Sequence, residues 1–210
     1  MDLIATVTRF FQNGGAFMYP ILILLVLGVA IIIERFIYLS RAYSENRTLW
    51  AKLMPLVNKG SYQEAEQLAS GSTTAIGRVL GYGLARSHNK ATREEIEIAM
   101  EESLMEVTPL LERRTHYLAT FANVATLMGL LGTIIGLIHG FAAVSNINPA
   151  EKADQLSASV SVAMNCTAFG LMTAIPFMLF HSWLQSKTDE LIDSVEMAAV
   201  KFLNTFAPKA

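Results

Sequence analysis

The chain of 210 residues is 52% hydrophobic and 16% charged, with a formal net charge of -2, whereas a typical soluble domain carries roughly 25% charged residues. Ten Lys/Arg and ten Asp/Glu balance each other between Arg41 and Arg114, which leaves no basic footprint for nucleic acid. A single cysteine, Cys166, excludes a disulfide framework within the chain.

The position of the charges matters more than their number. No Asp, Glu, Lys or Arg occurs from Phe10 to Ile33, from Tyr117 to Ala150 or from Gln155 to Ser186. Each window exceeds the roughly 20 apolar residues that a helix needs to cross a bilayer. A soluble chain of this length could bury one such helix but not three. The pattern predicts an all-α membrane protein with three transmembrane helices, two of them extended into a cytoplasmic helical layer. The start, Met1 to Phe10, has no positive n-region, and the apolar run after it ends at Glu34-Arg35 without a small-x-small cleavage pattern. The first span is therefore expected to be retained.

Taken in chain order, residues 1–16 read as a periplasmic interfacial helix. Leu3, Ile4, Val7, Phe10 and Phe11 lie at helical spacing, and Gly14-Gly15 ends the run. Transmembrane helix 1 covers residues 17–40, with Tyr19 and Tyr38 near its ends, where amphipathic rings prefer to lie. Residues 41–114 form the cytoplasmic helical domain. There Asn58-Lys-Gly60 stops one helix, and Ser61-Tyr-Gln-Glu64 reads as a capping box for the next. Gly71 ends that one, a further helix covers Thr73 to Ser87, and Thr92-Arg-Glu-Glu95 is a second capping box.

Beyond Thr92 only Pro109 interrupts the helical pattern as far as Phe141. This predicts a rod about 70 Å long, kinked at Pro109. Transmembrane helix 2 occupies residues 115–141. A periplasmic loop at 142–155 contains Asn146-Ile-Asn-Pro149, and transmembrane helix 3 occupies 156–186. The cytoplasmic tail helix, 187–210, has Leu191, Ile192, Val195, Ala198, Ala199 and Phe202 at amphipathic spacing and is expected to continue span three.

Lys and Arg near the span ends set the orientation. Arg35, Arg41, Arg47, Arg113, Arg114 and Lys187 fall on one side, Arg9 and Lys152 on the other. The first side is read as cytoplasmic, which makes the N-terminus periplasmic and the C-terminus cytoplasmic.

Span two carries Gly129, Gly132, Gly136 and Gly140, and the last three form two overlapping GxxxG motifs. Small residues at this spacing let helix backbones approach closely in lipid. Leu at Gly132 or Gly136 is expected to break up an oligomer. Asn123, Thr126, Thr133 and Gly140 share one face as a polar stripe, which reads either as hydroxyls bonded back to their own helix or as an ion path. On span three, Thr167 shares a small-residue face with Ala163, Gly170 and Ala174. Ser157, Ser161 and Asn165 lie on another face and read as bonding to neighbouring helices. Pro176 interrupts span three's backbone bonds, as is tolerated where protein or water re-satisfies the freed carbonyl. Glu34-Arg35 reads as local pairing at the membrane surface, and Cys166 as an inert buried thiol. Nothing in the sequence suggests a metal-ligand cluster, a nucleophile–base pair or a phosphate loop. No catalytic residue, metal or cofactor is expected, and no enzyme.

Four strings in order carry a resemblance. Gly14-Gly-Ala-Phe-Met-Tyr-Pro-Ile-Leu, Ile31-Ile-Ile-Glu-Arg-Phe, Gly129-Leu-Leu-Gly-Thr-Ile-Ile-Gly-Leu and Thr167-Ala-Phe-Gly-Leu-Met-Thr-Ala-Ile-Pro resemble the MotA/TolQ/ExbB proton channel family, and its ExbB/TolQ branch most closely. The resemblance implies a homopentamer in the bacterial inner membrane whose second and third spans line a pore. It also implies a dimer of a single-span ExbD/TolR-like subunit in that pore, supplying an essential Asp, and a TonB- or TolA-like protein beyond it. The family's pore threonines would be Thr133 and Thr167. Val162 stands where the branch usually has Glu, and Thr126 where it usually has Pro. The membrane core thus offers no carboxylate, and Thr126 adds a hydroxyl that suits a hard cation, so either H⁺ or Na⁺ fits as the coupling ion. Two rival readings are a non-conducting membrane scaffold and a flagellar stator subunit, although stator subunits usually have four spans. Cysteines placed at positions 65 and 90 should react with impermeant reagent from the cytoplasmic side alone; periplasmic labelling of either would reverse the topology.

Overall fold

The computed structural model describes residues 10–11, 14–87, 91–145 and 148–206. Among these it is all-helical, and three of the helices are long and apolar enough to cross a membrane. The helices that are described in full are, in order, α1 (Met18–Asn58), α2 (Tyr62–Ser70), α3 (Ala75–Ser87), α4 (Arg93–Glu112), α5 (His116–Val144) and α6 (Lys152–Phe206). The expected interfacial helix at residues 1–16 falls mostly outside the described residues; Phe10 and Phe11 are helical.

The contacts divide the chain into two units. One comprises Met1–Ile33 with Arg114–Ser182, the other Glu34–Arg113 with Trp183–Ala210. The division at Ile33 coincides with the end of the first charge-free window, and those at Arg113 and Ser182 fall within about four residues of the ends of the other two.

In the first unit, Met18 and Ile21 of α1, Ala122 and Ala125 of α5, and Cys166, Phe169, Ala174 and Phe177 of α6 form one buried cluster. The Phe11 and Phe169 rings meet edge to face at 5.0 Å. The outer faces stay apolar and exposed. Leu127 is 63% exposed, Met164 65% and Leu179 68%. Such faces are stable in lipid or against another subunit, not in water.

The second unit is built on a 3–4 spaced seam of α6. Leu184, Thr188, Leu191, Val195, Ala198 and Phe202 are all buried. Ile192 and Ala199, expected within the apolar stripe, are only half-buried. The seam runs instead through Leu184 and Thr188, whose hydroxyl donates to the Leu184 carbonyl at 3.0 Å and so needs no outside partner. Gly83 of α3 admits Met100 of α4, because a Cβ there would lie 2.6 Å from the Met100 sulfur.

Helix ends match the sequence signals in part. α1 stops as expected at Asn58. Gly60 takes φ +77, its amide donates to Val57 O at 3.0 Å, and the Ser61 amide donates to Leu56 O at 3.0 Å. This is the Schellman arrangement, which needs a left-handed residue that glycine adopts without strain. The Ser61 capping box does not form. Ser61 sits at ψ 61 and makes no side-chain cap, while its own amide is held by Leu56. The Thr92 box does form: Glu95 N donates to Thr92 Oγ1 at 3.3 Å, and Thr92 N donates to Glu95 Oε2 at 2.8 Å.

Pro109 does not break the rod. It lies inside α4, and both it and Met105, whose carbonyl loses a partner, are exposed. The break comes at Arg113–Thr115, where Arg113 is extended (ψ 133) and Arg114 is left-handed (φ +69). A tertiary bond holds this end. Arg35, 2% exposed, donates from Nη2 to the Leu111 carbonyl in the last turn of α4, and its guanidinium lies 5.0 Å from the centre of the Tyr38 ring. A buried cation thus satisfies one of the carbonyls that a helix end leaves orphaned. Replacing Thr92 with Ala should cost about 1 kcal/mol and so speed amide exchange in the first turn of α4 about fivefold, whereas Ser61→Ala should leave α2 unchanged. Exchange mass spectrometry on the full chain reads both, and equal responses would remove the distinction.

Candidate ion site

α5 and α6 run antiparallel and approach through small residues. A Cβ on Gly140 would lie 2.6 Å from Ser159 Cβ, and one on Gly136 would lie 2.9 Å from Ala163 Cβ. At Gly132 the added atom would collide with the Cys166 sulfur. At Gly129 it would lie 3.2 Å from Thr167 Cα and 3.3 Å from Gly170 Cα. The tightest backbone contact is Gly170, where a Cβ would lie 2.7 Å from the Ala125 carbonyl oxygen and 3.1 Å from Gly129 Cα. All five glycines therefore face the chain's own partner helix. Leu at Gly132 or Gly136 would disrupt the subunit itself, because Cys166 and Ala163 of the same chain fill those notches.

The two threonines meet in the closest part of this seam. Thr133 Oγ1 and Thr167 Oγ1 are hydrogen-bonded to each other. Thr167 Oγ1 donates to Gly129 O at 2.9 Å, and Thr133 Oγ1 reaches Gly129 O at 3.2 Å and Ala163 O at 3.5 Å. Both residues are half-buried. A hydroxyl has one proton and two lone pairs. Two protons thus serve a cluster of two hydroxyl oxygens and two carbonyl oxygens, leaving lone pairs over. Such a cluster can accept a proton donor or take part in coordinating a hard cation.

Thr126 does not join the pair. Its hydroxyl bonds back to Ala122 O at 3.0 Å, and it lies two turns, or about 10 Å, from Thr133 along the helix. Ser157 and Ser161 are exposed and, among the described residues, make no side-chain hydrogen bond to α1 or α5. Val162 lies beside Gly15, 3.4 Å from where a Cβ there would stand. Sequence reasoning missed the two carbonyls, Gly129 O and Ala163 O, since acceptors on the main chain leave no mark in residue type. It also missed Thr173, buried and bonded to Phe169 O at 3.0 Å.

Gly170→Ala should lower stability by about 1–3 kcal/mol, because the clash is with backbone that cannot swing away. Gly81→Ala is the control: its Cβ would find Ala69 Cβ at an ordinary 3.7 Å and should raise helix stability slightly. Thermal unfolding of the detergent-solubilised chain compares them. A Gly170→Ala protein as stable as the parent would show that the approach is looser than the geometry requires.

The family model described as "MotA/TolQ/ExbB proton channel family" matches residues 72–197, a stretch that contains both threonines and all five glycines. A biopolymer transport protein ExbB homolog of Methanothermobacter thermautotrophicus is 27% identical over 202 residues, covering 94% of this chain and 69% of the relative. The Tol-Pal system protein TolQ of Haemophilus influenzae is 29% identical over 56% of this chain and 47% of its own length. The biopolymer transport protein ExbB of Salmonella typhimurium is 23% identical over 67% and 61%. With three spanning helices and a family match over more than half its length, the chain is an integral membrane protein that belongs to the MotA/TolQ/ExbB proton channel family, on its ExbB/TolQ branch.

Proposed function

We propose that the chain is the channel-forming subunit of an ion-driven motor in the bacterial inner membrane, with no enzymatic activity of its own. Five copies surround a dimer of a single-span ExbD/TolR-like subunit, and the proton or sodium motive force energises a periplasmic or outer-membrane process such as TonB-dependent transport. A TonB- or TolA-like protein carries the output. The observation behind this reading is the Thr133–Thr167 pair with its surplus of oxygen lone pairs, set where α5 and α6 approach most closely.

The division of labour follows from the residues. Span two from Tyr117 to Ala150 and span three from Gln155 to Ser186 hold no carboxylate. The group that binds and releases the ion is therefore the partner's Asp, and the hydroxyl pair replaces water around the ion as it passes. Such contacts must be strong enough to admit the ion and weak enough to release it.

Thr133→Val or Thr167→Val keeps the shape and removes the oxygen. Each should abolish ion flux in vesicles that hold the chain with its single-span partner, while the assembled complex stays intact. Vesicles with the chain alone should leak far less than vesicles with both subunits. Thr126→Val should raise the Na⁺ needed for flux if Na⁺ is the coupling ion and should have no effect if protons are. Full flux in both threonine variants would remove the site, and absence of flux in the complete complex would favour the scaffold reading.

A further inference from the structure

The second unit holds a groove that the ion path does not use. Its volume is about 270 Å³, and it lies where α1, the start of α3 and α6 meet. Its polar and charged lining comes from Asn46, Arg47, Ser194 and Lys201, with Tyr43 and Trp50 as aromatic walls. Asn46 is 2% exposed, and its Oδ1 accepts the Ile76 amide in the first turn of α3 at 2.8 Å. Its Nδ2, equally buried, has no hydrogen-bond partner. A buried amide donor left without an acceptor is unfavourable, and an acceptor brought by a ligand would remove that cost.

The charge of the groove points to the ligand. Arg47 and Lys201 have no side-chain partner among the described residues, and no carboxylate lines the walls. The neighbouring groove along the same two long helices is different, because there Lys187 is neutralised by Glu190 at 2.6 Å. Two free cations and an unmatched amide donor together favour an anion, and Trp50 and Tyr43 offer flat apolar surface to whatever carries it. Asn46 lies six residues beyond residue 40, where span one is read to end, about 9 Å along the helix. Headgroups reach about 5–8 Å past the hydrocarbon core, so the groove opens at the outer edge of the headgroup layer, where a soluble anion has direct access.

We propose that this groove binds a small soluble organic anion, a carboxylate or phosphate joined to a ring-sized apolar group, and that Asn46, Arg47 and Lys201 hold the anionic end. The full chain in detergent, carrying Trp183→Phe so that Trp50 is the single indole, is titrated with phenyl phosphate, benzoate and dihexanoyl phosphatidylglycerol below its micellar concentration. Phenyl phosphate or benzoate should change Trp50 fluorescence saturably. Arg47→Gln and Lys201→Gln should each weaken binding about tenfold, the loss of one charge-assisted hydrogen bond. Asn46→Asp keeps the acceptor for the Ile76 amide but replaces the free donor with negative charge. It should abolish binding, and circular dichroism at the assay temperature checks that the helical fold is kept. No saturable change with either soluble anion, or binding untouched in the three variants, would overturn the proposal; tighter binding of the lipid than of phenyl phosphate would overturn the soluble ligand.

Discussion

The approach of α5 and α6 at Gly129 and Gly170 is the contact on which the membrane-spanning unit depends. Lipid tails are as apolar as leucine side chains, so helices in a bilayer gain little from hiding apolar surface from each other. They gain from dispersion at short range and from hydrogen bonds that lipid cannot supply. Both require a small interhelical distance, and here it is short enough that Gly170 lies against the Ala125 carbonyl. The Thr133–Thr167 bond follows from that distance, since side chains this short cannot bridge helices held apart by larger residues. The exposed leucines and methionines on the outer faces add nothing to the pairing within the chain. They are the surface it presents to lipid or to neighbours.

The second unit solves a different problem, because water competes for every polar group there. Its answer is a packed 3–4 seam on α6 and a few buried polar groups bonded to helix ends. Asn46 serves the start of α3, and Arg35 serves the end of α4. Each places a side chain of α1 on backbone groups that helix geometry leaves without partners. Loss of either would expose the desolvation cost of the group left behind, which exceeds the net worth of the bond itself.

Much of this was legible in the sequence. Charge-free windows located the three spans, small residues at i and i+4 located the close faces, and Thr92-Arg-Glu-Glu95 located a helix start. What the pattern could not carry was the identity of the partner. GxxxG marks a face, not what lies against it, so Gly132 and Gly136 read equally well as contacts between subunits until Cys166 and Ala163 are seen to fill them. Arg114 was invisible for a related reason: a left-handed residue is signalled by Gly or Asn, and here it is an arginine, between α4 and α5, that takes that conformation. Ser61 had the right residue type but the wrong backbone, because the Schellman turn before it had already claimed its amide. The threonine pair was half legible: both positions could be chosen by face, but the two carbonyls that complete the cluster could not.

Cys166 fills the notch at Gly132 and is the chain's single thiol, 1% exposed. An alkylating reagent can reach it only when the packing of α1, α5 and α6 around it loosens. The rate of its modification is therefore a native clock for the loosening of that core, readable by mass without adding a probe. Run with and without an imposed ion gradient, that clock would report whether the core stays shut in both conditions.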